Sequence, residues 1–143
     1  MGVSSRLVDD TLDLRSIDSA LFVVVNELFC SSCLSQLDDF VAKNLPPQCT
    51  YRVIDVSGIS KSYVNERVPT LARYVGDRQK LFFTRRSSLD LFLDFAKATA
   101  KWPILLRLKN KIVTQLNFDD LFSHDPDGNA ILNTSIVCAF IKR

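Results

Sequence analysis

The stretch that decides the fold is Leu21-Phe22-Val23-Val24-Val25-Asn26-Glu27-Leu28-Phe29-Cys30-Ser31-Ser32-Cys33-Leu34. Its first five residues are an apolar, largely β-branched run, which reads as a buried strand. Asn26 to Phe29 form a short connection that delivers Cys30. Downstream, Leu34, Leu37, Val41 and Leu45 recur at helical spacing, with Gln36, Asp38 and Lys43 on the other side. Pro46-Pro47 cannot continue a helix, so this one stops near Asn44. A C-x-x-C pair therefore sits where a buried strand ends and a helix begins.

That position matters because the first-turn N–H groups of a helix are unsatisfied and the macrodipole is positive there. A thiolate is stabilised in such a place. Lowering a thiol from a pKa of ~8.5 to ~7 raises its thiolate fraction at neutral pH from roughly 3% to about 50%. The three-residue offset lets the second sulfur reach the first across one helical turn, and Ser31 and Ser32 add small hydroxyl donors. Taken alone, C-x-x-C has three readings: half a zinc site, a redox dithiol, or coincidence.

Working outward, Tyr51-Arg52-Val53-Ile54-Asp55-Val56 reads as a second strand ending at Ser57-Gly58. Strand, helix and strand make a right-handed, parallel βαβ unit. Residues 59–67 form a short helix or a loop. Leu71–Val75 and Leu81–Thr84 read as short strands of a hairpin around Gly76-Asp77-Arg78-Gln79-Lys80. Ser87-Ser88-Leu89-Asp90 resembles a capping box, and Leu89, Phe92, Leu93, Ala96 and Ala100 mark one face of the helix after it. Lys101-Trp102-Pro103 ends that helix.

Over residues 21–102 this order, with C-x-x-C at the first helix start and Val68-Pro69-Thr70 further on, resembles the thioredoxin and glutaredoxin superfamily. The resemblance implies an α/β, thioredoxin-like fold with a central mixed sheet flanked by helices. It implies that Cys30 is the nucleophile and that Cys33 resolves the mixed disulfide. It further implies a cis Val68–Pro69 peptide beside the dithiol, with Val68 offering backbone groups to an extended substrate. Phe29 stands where thioredoxins have Trp, Ser31-Ser32 where they have Gly-Pro, and Val24 where they have a buried acid. Glu27 is the nearer acid. Phe29, Val68 and Pro69 are the expected substrate-binding residues.

Other motifs carry less. A zinc site needs two more ligands, and Cys49, Cys138 and His124 form no second closely spaced pair. Cys49 reads as a spare thiol in a connection, and Cys138, in Ile136-Val137-Cys138-Ala139-Phe140, as a small buried apolar residue. His124 lies in a polar loop. Asp125, Asp127 and Asn129 have a calcium-like spacing, but Ile136 stands where the bidentate Glu is needed. No P-loop, dinucleotide fingerprint or Ser–His–Asp arrangement occurs. The expectation includes no cofactor and no metal.

Composition sets the remaining bounds. The 143 residues are 47% hydrophobic and 24% charged with 4 Gly and 5 Pro, a globular balance. No apolar run reaches the length of a membrane-spanning helix, and the N-terminus lacks a secretory apolar core, so the expected address is cytoplasmic. Residues 1–60 carry 4 basic and 8 acidic side chains, and residues 61–143 carry 14 and 8. The basic charges, among them Arg107, Lys109 and Lys111, are scattered along the chain, which argues against nucleic-acid binding.

The expected organisation is an N-terminal segment at 1–20, a thioredoxin-like domain at 21–102 and a C-terminal extension at 103–143. Ile104–Leu108 and Lys111–Leu116 form a hairpin around Asn110 or parts of one helix, and Ile131–Ile141 reads as a strand. The extension is too apolar to hang free, so it packs on the domain or forms a homodimer contact. The functional expectation is a thiol-disulfide oxidoreductase that exchanges disulfides with protein substrates through Cys30 and Cys33. The alternative is a redox-inactive thioredoxin-like interaction module.

Overall fold

β1 (Ser19–Val25) is buried at every residue after its first, so it must be covered on both faces and paired on both edges. A computed structural model, which describes residues 18–84 and 101–143, shows how this is done. β1 runs parallel to β2 (Thr50–Asp55), with Val23 opposite Val53, and antiparallel to β4 (Ile104–Lys109), with Val23 opposite Leu105. β3 (Leu81–Phe83) lies parallel beside β2, and β5 (Ile112–Leu116) lies antiparallel beside β4. The described residues thus build a mixed sheet in the order β3-β2-β1-β4-β5.

α1 (Ser31–Lys43) connects β1 to β2, and α2 (Lys61–Leu71) follows β2. After β5 come the single turn α3 (Phe118–Leu121), a two-stranded ribbon of β6 (Phe122–His124) and β7 (Ala130–Leu132), and α4 (Thr134–Lys142). Strand alternation divides the apolar residues between two faces. Leu21, Val23 and Val25 join Leu34, Leu37 and Val41 of α1, Val64 and Val68 of α2, and Val137 and Phe140 of α4. Ala20, Phe22 and Val24 join Ile54, Ile104, Leu106, Leu108 and Trp102 on the other face.

Two polar side chains of α1 fasten distant parts of the chain. Buried Asp38 accepts hydrogen bonds from the Tyr51 hydroxyl (2.7 Å) and the Gly76 N–H (2.9 Å), tying α1 to β2 and to the turn after α2. Gln36 donates to the Ala130 carbonyl (3.0 Å) and accepts from the Leu132 N–H (3.1 Å), which docks β7 against the same helix.

The structure corrects several expectations. Leu71–Val75 is not a strand: buried Val64, Val68, Leu71 and Val75 continue one helical stripe through α2 and the turn after it. Pro69 lies inside α2, two residues before its end at Leu71, and as a proline it gives up one helical N–H donor there. Ile131–Ile141 is mostly α4, whose buried Val137, Phe140 and Ile141 follow helical spacing although Ile136-Val137 is β-branched. The ambiguous 104–116 segment is the β4–β5 hairpin, turning at Asn110 and Lys111 with φ of 52° and 66°. β4 and β5, which come after residue 102, lie in the same sheet as β1. The helix expected after Ser87 and the turn expected through Leu7 and Leu12 fall outside the described residues.

Leu105 is fully buried on β4, whereas Ile112 on the edge strand β5 is 66% exposed. Leu105→Ala is expected to lower the unfolding free energy by about 2–5 kcal/mol, and Ile112→Ala to change it by less than about 0.5 kcal/mol. Urea denaturation of the two variants checks both values.

Candidate functional site

The dithiol is held by the backbone from two directions. Cys30 is the N-cap of α1, with extended φ and ψ of −78° and 111°, and its sulfur accepts from the Cys33 N–H at 3.3 Å. The Cys30 carbonyl accepts from Leu34 N–H (3.0 Å), and the Cys30 N–H donates to the Trp102 carbonyl (3.1 Å). Ser32 Oγ lies 3.5 Å from Cys30 Sγ. Cys30 and Cys33 are joined as a disulfide, with Cα atoms 5.2 Å apart. Cys33 is completely buried in the core, while Cys30 is half-buried at the helix start.

The peptide beside the dithiol is Trp102–Pro103, and it is cis. The expectation for Val68–Pro69 is therefore corrected. Val68 faces the core from within α2, its carbonyl accepts the helical hydrogen bond of Ala72 (2.9 Å), and Pro69 is exposed on that helix. A residue so engaged has no free backbone edge for an extended substrate. By sequence pattern Trp102 and Pro103 read as a helix terminator; the structure places them beside Cys30. The signal for their role was available, since Pro103 immediately precedes the apolar run Ile104–Leu108 that becomes the partner of β1.

Phe29, by contrast, is at the site. Its ring meets Tyr74 edge-on with centroids 6.0 Å apart, and the Arg67 guanidinium lies 5.3 Å from its centre. With Leu28, Cys30, Lys101, Trp102 and Phe118 it lines an open depression of about 380 Å3. Leu28 is 77% exposed, an apolar side chain presented in the same depression as Cys30. Glu27 is exposed at the rim of the same depression and Val24 is buried on the opposite sheet face, so neither supplies a buried acid on the dithiol's side of the sheet.

A fully buried acid at this end of the sheet is Asp55, at the end of β2 opposite Val25. It accepts from the Tyr63 hydroxyl (2.9 Å), Arg67 Nε (3.0 Å) and the Ser57 N–H (2.8 Å). Arg67 also donates to the Asn26 carbonyl at 3.3 Å. Asp55 and Arg67 thus clamp the start of the 26–29 connection, and Arg67 caps the Phe29 ring at its end. Sequence reasoning passed over both residues. An Asp inside an apolar strand implies a buried partner, but nothing local says that the partner is Arg67.

Burial pushes the Tyr63 phenol up from 10.0 to about 12; the Asp55 charge adds to this, and Ser57 and Arg67 oppose it. Tyr51 is also raised, by burial first and then by the charge and hydrogen bond of Asp38. His124 ends exposed on β6, and Asp125 folds back to accept from the Asp127 and Asn129 N–H groups in a tight turn. Cys49 lies in a connection and Cys138 on α4, both half-buried and unpaired. Among the described residues no three His, Cys, Asp or Glu side chains gather as a metal site, and no helix is long and apolar enough to cross a membrane.

The chain is similar to the crystal structure of a secreted Mycobacterium tuberculosis disulfide oxidoreductase homologous to E. coli DsbE. The TM-score is 0.51 with 12% identity, over 92% of this chain and 87% of that one. The fold is thioredoxin-like. No protein-family model and no curated protein sequence matches the chain. The C-x-x-C pair, the helix start and the adjoining X-Pro strand therefore occupy one end of a thioredoxin-like sheet.

Arg67→Met is expected to destabilise the fold by about 3–5 kcal/mol, because it strands a buried carboxylate. The Arg67→Met/Asp55→Asn double variant should recover part of that loss in urea denaturation. A second outcome concerns alkaline pH. The Tyr63 phenol is raised in the folded state, so its contribution is complete below pH 10 and is lost as pH rises toward 12, while the unfolded chain ionises first. Stability measured across that window should fall less steeply in Tyr63→Phe.

Proposed function

We propose that the chain is a thiol-disulfide oxidoreductase acting on protein thiols or disulfides through Cys30 and Cys33. The observation that carries this reading is the asymmetry of the pair: Cys30 is accessible at the helix N-terminus, and Cys33 is completely buried one turn in. An external sulfur meets Cys30 first, and Cys33 is reachable only from Cys30.

In the reducing direction the Cys30 thiolate attacks one sulfur of a substrate disulfide. The Cys30–substrate bond forms, the substrate S–S bond breaks, and the departing thiolate takes a proton. Cys33, deprotonated, then attacks Cys30 Sγ, and the second substrate sulfur leaves. Two electrons pass from the dithiol to the substrate, and the Cys30–Cys33 disulfide remains. The oxidising direction is the same sequence reversed. The Cys33 N–H aimed at Cys30 Sγ and the positive end of α1 stabilise negative charge on that sulfur. The depression formed with Leu28, Phe29, Trp102 and Phe118 suits an apolar side chain flanking the substrate cysteine.

Cys30→Ser is expected to abolish exchange with a disulfide-bonded protein such as insulin. Cys33→Ser should accumulate a mixed disulfide on Cys30, visible by mass spectrometry as an adduct that dithiothreitol removes. Reversible oxidation in a glutathione redox titration separates this reading from a redox-inactive module. Equal residual turnover in both variants with no adduct would sink it.

A further inference from the structure

The end of the sheet away from the dithiol holds a second cavity, of about 570 Å3. It lies at the start of β1 and the end of β4, beneath the last turns of α1 and α4, and is bordered by the Pro46–Cys49 connection. Lys43, Arg107, Lys109 and Lys142 line it, and among the described residues no Asp or Glu side chain does. These cations come from three separate segments of the chain and are gathered only by the fold. We propose that this cavity binds a small, multiply charged oxyanion, a compound bearing phosphate or several carboxylates.

Two of the four cations have an ordinary explanation. Lys43 and Lys142 lie in the last turns of α1 and α4, where positive charge complements the helix dipole. Lys43 is also paired with Asp39 at 3.0 Å, but both groups are largely exposed, so that pair is easily exchanged for another. Arg107 and Lys109 have no such explanation, since they stand on a strand. Arg107 lies between buried Leu106 and Leu108, opposite Leu21 of β1, and is itself half-buried. Among the described residues no carboxylate pairs with it. A partly desolvated guanidinium normally finds an anionic partner, and its planar fork suits the oxygens of phosphate or carboxylate. Lys109 donates to the Arg143 carbonyl at 2.8 Å, which holds the end of α4 over the cavity.

Four cations around a hollow of this size suit a compact anion, whereas a polynucleotide needs an open stripe of positive charge along a surface. Cys49 lines the same cavity and supplies a reporter. With Cys30 and Cys33 oxidised, Cys49 and Cys138 are the free thiols.

The test titrates the full chain, dithiol oxidised, with inorganic pyrophosphate and separately with citrate, by calorimetry at physiological ionic strength. Saturable one-to-one binding of either supports the site, and the tighter of the two tells a phosphate ligand from a carboxylate one. Arg107→Gln should weaken the binding by about tenfold or more, through loss of the bidentate contact. Lys61→Gln, at the other end of the sheet, should leave it unchanged. The bound anion should also slow alkylation of Cys49 by N-ethylmaleimide, scored by peptide mass spectrometry. No saturable heat with either anion overturns the proposal. So does equal weakening by Arg107→Gln and Lys61→Gln, provided both variants keep the parent circular dichroism spectrum and melting temperature.

Discussion

The pairing of β1 on both edges is the constraint on which the rest depends. A strand with almost no exposed side chain needs cover on two faces, and its backbone groups need partners on two sides. β2 supplies one side from the adjacent βαβ unit. β4 supplies the other from residues eighty or more positions away. The dithiol emerges from the end of this strand, so its place is set by the most buried element of the molecule. The Cys30 N–H to Trp102 carbonyl bond joins the same two segments of chain again beyond the end of the sheet.

The same end of the sheet carries its polar counterpart. Asp55 follows β2 into the buried region and is made tolerable there by three donors. Arg67 extends that network to Asn26 and lies over Phe29, the residue before the first cysteine. The connection that presents Cys30 is therefore held at its start by an ion pair and at its end by helix capping. Between them only Glu27 and Leu28 project, and Leu28 is the apolar group offered to solvent.

The two ends of the sheet differ in chemistry. One end combines an apolar depression with a helix N-terminus, suited to a sulfur that carries negative charge in reaction. The other gathers four cations around a hollow, two in the last turns of helices and two on β4. Helix polarity explains part of this contrast, because α1 begins at the dithiol and ends at the hollow.

From the sequence alone, the strand Leu21–Val25, the helix after Cys33, its stop near Asn44 and the second strand were legible. In each, local propensity and tertiary burial point the same way. The dithiol was legible for the same reason, since its spacing and its strand-to-helix setting are local. Phe29 at the site followed from adjacency. What local pattern could not decide was every choice that depends on a distant partner. Two prolines were available for the position beside the dithiol, and only the pairing of β4 with β1 selects Pro103 over Pro69. The β-branched run at Ile136-Val137 becomes helix because α4 packs its Val137, Phe140 and Ile141 on the sheet. Asp55 and Arg67, and likewise Arg107 and Lys43, are unremarkable in the sequence and acquire meaning only when the chain brings them together. Propensity acts over a few residues, whereas strand order and charge clustering are properties of the closed fold.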